Sequence, residues 1–283
     1  MAEIQALCVE HLGEVLGARL AALARPEFSL APARDDVSPT GRCHVGGPAL
    51  LEPGTPWPQT RGGFPLSLVA VLDTDELAPW LGDHLPTRLG LVNVFWLQPD
   101  FKCREDDRFA ELMEPYEGWW GQRDQPGDCQ IVLASPPRAI EVAAPRPAQV
   151  LDRRPLNAAP IVTLPSLVGE SNDPIVKTFD FRALPDFDDD RMLGPDVRFG
   201  RVWSGFCSEK LGYRPGDAQA FGWPLIDQWP GKREEGYAHL LTLPGHLLDG
   251  DDHDGGFERV MVSPDDLRTG SFTSVTYEQD GLH

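Results

Sequence analysis

Glycine and proline interrupt this chain so often, with 28 of each, that long helices are excluded over most of its length. Proline fixes φ and removes a backbone donor, and glycine supplies the turns that other residues resist. A chain punctuated in this way is built of short strands and many turns. Its 283 residues, 41% of them hydrophobic, are enough to bury a large core without disulfide or metal staples.

One stretch escapes the punctuation. Ile4, Leu7, Cys8, Leu12, Val15, Leu16, Leu20 and Leu23 recur at three- and four-residue spacing, with Glu3, Glu10, Glu14 and Arg19 mostly between them. This predicts one amphipathic helix over residues 3–24, stopped by Pro26 and packed on its own domain. The expected division is residues 1–26 as that helix and 27–283 as the main domain.

Residues 27–65 read as an ordered, turn-rich wrapping region, because apolar Leu50, Leu51, Trp57 and Phe64 punctuate its glycines and prolines. Runs of aliphatic and aromatic residues bounded by turn residues predict strands at 65–72, 89–97, 129–134, 139–143, 161–164, 236–243, 256–262 and 271–278. Helices are expected over 74–82 and 105–117. The prolines at 136, 137, 145, 147, 155 and 160, taken alone, mark a linker.

Two segments echo each other. Leu68–Leu72 and Leu240–Leu243 are comparable apolar strands. Each precedes a Gly-led strand, Gly90–Leu97 and Gly256–Val262, that runs into Gln98-Pro99-Asp100 or Ser263-Pro264-Asp265. The expected fold class is therefore α+β, mainly antiparallel sheet, with two pseudo-repeated halves at 27–135 and 160–283 and an N-terminal amphipathic helix.

Charge narrows the partners. Lys and Arg total 25 against 44 Asp and Glu, for a net −19. Such a surface repels nucleic-acid phosphates and anionic membranes. A cation or a basic protein is what its field attracts. The longest apolar runs are too short to span a bilayer, and the N-terminus lacks the basic and apolar regions of a secretory signal. Five scattered cysteines without a CxxC pair suit free, buried thiols in a reducing cytoplasm.

Catalytic motifs are missing from the sequence: it has no nucleophile elbow, P-loop, dinucleotide fingerprint or zinc-protease helix. No catalytic residue is assigned and no cofactor is expected. The sharpest chemical feature is the loop 249–256, whose Asp249, Asp251, Asp252, His253 and Asp254 are candidate cation or ligand residues, since clustered carboxylates offer hard oxygen ligands. The EF-hand template fails there: its sixth position falls on Asp254 and its twelfth on Val260. Cys43-His44 lacks a second pair at zinc spacing, and His239, in an apolar strand, reads as a hydrogen-bonded structural residue. Among the eight tryptophans, Trp119, Trp120 and Trp223 are the candidate partner anchors.

Several of these segments together resemble the YwqG-like family. Gly46-Gly47-Pro48, Pro53, Trp57-Pro58 and Gly63-Phe64-Pro65-Leu66 are similar to its opening, followed by the strand Leu68-Val69-Ala70-Val71-Leu72-Asp73. Gly90–Phe95, Leu164-Pro165-Ser166, Leu211-Gly212-Tyr213 with Gln219, and the ending Asp254-Gly255-Gly256-Phe257, Val260–Val262, Pro264–Leu267, Phe272–Val275 continue the likeness over about residues 35–278. The resemblance implies that the Pro-rich stretch lies inside one fold. This chain departs from the family pattern at Val71 and Thr242, where the family's strand carries Gln, and near Asp252-His253, where it carries Trp. The family is functionally uncharacterised, and some relatives are linked to bacterial toxin–immunity systems.

Three readings of function stay open from sequence. The first is a non-catalytic acidic protein that binds a basic, toxin-like protein as an immunity-type inhibitor. The second is a small-molecule or cation-binding enzyme using loop 249–256. The third is a structural or housekeeping protein without a dedicated ligand. Oligomeric state is not legible.

Overall fold

The computed structural model describes residues 1–34, 36–82, 89–98, 128–165, 195–213, 218–224, 237–248 and 256–280. The sequence-predicted helix 105–117 lies outside them. Helices α1 (Ala2–Ala21), α2 (Thr74–Leu81), α3 (Pro195–Phe206) and α4 (Pro264–Thr269) accompany twelve described strands. The strands are β1 (Arg25–Pro32), β2 (His44–Val45), β3 (Ala49–Leu51), β4 (Ser67–Asp73), β5 (Leu91–Trp96), β6 (Cys129–Ala134), β7 (Ile140–Val142), β8 (Arg154–Thr163), β9 (Ala218–Ala220), β10 (Ala238–Pro244), β11 (Phe257–Val262) and β12 (Val275–Asp280).

Ten of these strands form one sheet in the order β12-β11-β10-β9-β1-β8-β2-β4-β5-β6, and β3 and β7 form a separate ribbon. Every pairing in the large sheet is antiparallel. The expected α+β architecture, mainly antiparallel with an N-terminal helix, is the one observed. The two end strands, β6 and β12, approach each other, and Trp96 of β5 packs on Tyr277 of β12 with ring centroids 4.9 Å apart, so the sheet curls into a near-barrel. Its interior is filled from both sides of the sheet order by Val69, Leu72, Val92, Val94, Leu241, Leu243, Val260 and Val262, with Phe28 and Leu30 at the middle.

The pseudo-repeat is written in the register. In one half Val71 pairs with His44 and Asn93, and Asn93 with Val132. In the other Thr242 pairs with Gln219 and Arg259, and Arg259 with Glu278. Both central strands carry an irregularity at the same place, between Leu68 and Ala70 and between His239 and Leu241. The turns that follow β2 and β9 match as well: Gly46 and Phe221 both have left-handed φ, 60° and 70°, and donate to Val69 O and Leu240 O. Continuing the count, Ala31 of β1 corresponds to Asn157 of β8, and these two residues are cross-strand partners. A local two-fold relation therefore passes between β1 and β8. Each set of five strands borrows one from the other end of the chain: β1 lies with β9–β12, and β8 with β2 and β4–β6.

Two expectations need correction. The single N-terminal helix is broken: Gly13 (φ 79°, ψ 167°) interrupts α1, and Gly17 packs directly on the backbone of Cys8 and Val9. Only a residue without Cβ adopts the first conformation cheaply or permits the second approach. Ile4, Cys8, Leu12, Leu20 and Ala21 are still buried, against Phe199, Trp203 and Phe206 of α3, whereas Val15, counted in the predicted stripe, is exposed. Pro26 does not end this helix, which stops at Ala21, but lies in β1.

The prolines at 155 and 160 belong to a strand rather than a linker. Leu156 N–H and Ala158 N–H point toward Cys43 and Thr40, so by alternation the Pro160 nitrogen faces the same side. There β2 pairs only with Arg154 and Pro155, and no ladder donor is required.

A buried polar row on the outer face of the sheet

Alternation along β1 sends Phe28 and Leu30 into the interior and Glu27 and Ser29 to the opposite, outer face. An outer face of polar residues ordinarily meets water, but Glu27 is 0% and Ser29 7% exposed. The row continues across the sheet in register: Ser29, Gln219, Thr242, Arg259 and Glu278 are successive cross-strand partners. Gln219, Thr242 and Arg259 are buried, and Arg259 lies 3.5 Å from Glu278. His239 joins the row through the irregularity in β10. Its Nδ1–H donates to Phe221 O at 2.6 Å, so its Nε2 is the acceptor for the Thr242 hydroxyl at 2.8 Å.

The matching face of the other half is closed differently. There the ribbon β3–β7 lies over the sheet, and Leu50, Leu51, Leu66, Leu68, Val71 and Phe95 make an apolar layer. Asn93, the counterpart of Arg259, accepts from Leu50 N at 2.8 Å and donates to Leu50 O at 2.9 Å and Val132 O at 3.1 Å. Its amide thus serves as a strand partner for β3. His44, the counterpart of Gln219, donates from Nδ1 to Arg42 O at 2.8 Å, with Nε2 3.3 Å from Pro48 O. Burial holds its imidazole below the usual histidine range.

Glu27 is the hub at the N-terminal end of the row. Its Oε2 accepts from the Thr163 hydroxyl at 2.5 Å and from Trp223 N–H at 3.1 Å. The same N–H lies 3.0 Å from Thr163 Oγ1, and the Trp223 indole donates to Leu23 O at 2.6 Å. The carboxyl therefore fastens β1 to the end of β8 and to the turn after β9, and the Trp223 indole ties in Leu23, just past α1. Trp80 of α2 ties the same two strands together by donating to Glu27 O and Ile161 O, each at 3.1 Å. Burial raises the Glu27 carboxyl well above the usual carboxylate range, against the lowering effect of its hydrogen bonds to Thr163 and Trp223.

Nearby, Cys207 S–H donates to Tyr213 OH at 2.9 Å, and burial pushes the thiol up to about 12. Burial likewise pushes Cys8 to about 11 and Cys43 to about 12. A thiol held so high is protonated at neutral pH and is no nucleophile.

Of the sequence-predicted site residues, Trp223 is buried, with the Arg25 guanidinium 3.6 Å above its ring. Trp119, Trp120, Asp249, Asp251, Asp252, His253 and Asp254 lie outside the described residues. Among the described residues no group of three or more His, Cys, Asp or Glu is placed to hold a metal ion, and no helix is long and apolar enough to cross a membrane. His239 is buried and bonded through both ring nitrogens, as its apolar strand suggested. Glu27, Thr163 and Arg259 were not flagged in the sequence. The only signal for Glu27 is an acidic residue among Phe28, Ser29 and Leu30.

Residues 43–280 match the family described as a domain of unknown function, DUF1963. The chain belongs to that family. No curated protein matches it. The DUF1963 match starts at Cys43, beside β2, and ends at Asp280, the last residue of β12, so β1 and α1, with Glu27, precede it. Val71 and Thr242 occupy equivalent places in the two halves of the sheet.

Proposed function

We propose that this DUF1963 protein is a YwqG-like, non-catalytic binding protein of the cytoplasm whose acidic surface engages a basic protein partner, as an immunity-type inhibitor does. The observation that carries the reading is the net charge of −19, because a field of this size speeds encounter with a positively charged partner and rejects negative ones. The chemistry of the described interior agrees. Cys8, Cys43 and Cys207 are buried, protonated thiols. His44 and His239 are held by hydrogen bonds inside the sheet. These groups serve to hold the frame rather than to move protons.

In this reading Asp249, Asp251, Asp252, His253 and Asp254 supply part of the negative contact surface, and Trp119 and Trp120 anchor the partner. Trp223, beneath Arg25, keeps the frame rigid. The test is affinity capture with the full chain at about 0.1 M and about 1 M salt, where screening lengths differ by roughly threefold. The capture is repeated with Asp249, Asp251, Asp252 and Asp254 all changed to Asn, and each captured protein is re-bound in purified form. A basic partner held at low salt, released at high salt and weakened by the Asn changes supports the reading. A complex indifferent to both salt and the Asn changes contradicts it.

A further inference from the structure

Two fully buried oxygen atoms in the polar row have no hydrogen-bond partner among the described residues: Glu27 Oε1 and Gln219 Oε1. The register places them close together. Gln219 lies directly opposite Ser29, and Ser29 is two residues along β1 from Glu27. All three side chains are on the same face, with Cβ atoms roughly 5 Å apart across the strands and about 7 Å apart along β1. Side chains of this length converge readily over such spans. Buried acceptors without donors are costly, and a buried carboxyl ordinarily faces a positive charge. No ion pair among the described residues reaches Glu27. Its other oxygen is already committed to Thr163 and Trp223.

We infer that Glu27 Oε1, Gln219 Oε1 and the Ser29 hydroxyl form a binding site for a monovalent cation, an alkali ion or ammonium, buried between β1 and β9. The chemistry of the donors selects this class. All three are hard oxygens, which favours an alkali ion or an N–H donor over a soft transition metal. Burial alone favours the neutral Glu27 carboxyl, and the bound cation supplies the charge that holds it ionised, so one carboxylate balances one positive charge and the remaining ligands are neutral. The ion replaces the missing donors of both orphaned oxygens at once. The site differs in composition from the aspartate-rich sequence at 249–254.

The test is thermal unfolding of the full chain in potassium, sodium and ammonium chloride against choline chloride at equal ionic strength. Choline is too large for a site of three side chains. At least one small cation is expected to raise the midpoint by about 3 °C or more as its concentration rises, and Glu27→Gln to abolish that response. Rubidium chloride in protein crystals supplies a readout independent of any variant, with an anomalous peak expected beside Glu27 and Gln219. A midpoint identical in all four salts, an equal response in Glu27→Gln, or no rubidium peak at that position overturns the site. The comparison of potassium, sodium and ammonium identifies the ion.

Discussion

Gly222 and Glu27 constrain each other. A side chain at Gly222 would collide with the Glu27 carboxyl and the Thr163 hydroxyl, and the residue holds φ 67°. Gly222→Ala is therefore expected to cost about 2–4 kcal/mol, from strain together with the disturbed buried hydrogen bonds, read as a lowered denaturant midpoint. Phe221 beside it pays for a left-handed φ of 70° with a buried ring. Glycine would relieve about 1 kcal/mol of backbone strain but lose roughly 3–5 kcal/mol of packing.

At His44 the linkage runs the other way from a salt-bridged histidine. Burial lowers its folded value from 6.5, so the unfolded chain binds more protons. The His44 contribution is fully present above pH 6.5 and is lost as pH falls below it. Urea unfolding between about pH 8 and 5 is expected to show that decline, with a smaller slope in His44→Asn.

Among the elements, the clearest dependency is that of the β3–β7 ribbon on one amide. Asn93 supplies three hydrogen bonds to the backbones of Leu50 and Val132. Asn93→Ala leaves Leu50 N–H and C=O buried without those partners, at a cost of about 2–4 kcal/mol. Hydrogen exchange at Leu50 is expected to speed up more than exchange in β10 or β11. An unchanged Leu50 rate would place the ribbon's stability elsewhere.

The same elements explain which parts of the fold were legible. β4, β5 and β10 are buried along nearly their whole length, so their sequences are continuous apolar runs that announce themselves. β1 mixes Pro26, Glu27, Ser29 and Pro32 into its sequence because its outer face is a polar seam. Its sequence therefore reads as part of a loop region. β8 was mostly hidden by Pro155 and Pro160, which are tolerated where neighbouring strands end. The polar row was illegible for a topological reason. Residues 27, 163, 219, 223, 242 and 259 meet only through strand order, and no local spacing marks them.

At the scale of the molecule, the near-barrel gives two related outer faces with different closures. One is sealed by an apolar ribbon and the other holds a buried row of polar side chains. The sequence that joins β10 to β11 carries Asp249, Asp251, Asp252 and Asp254. In the proposed reading the charge of the whole chain acts on association more than on holding strength, because long-range steering is screened by salt while buried contacts are not.

Association kinetics of the chain with a purified captured partner across about 0.1–1 M salt measure the acidic field itself. The association rate is expected to fall by on the order of tenfold or more with rising salt while the dissociation rate changes little. An association rate independent of salt would contradict the proposed reading.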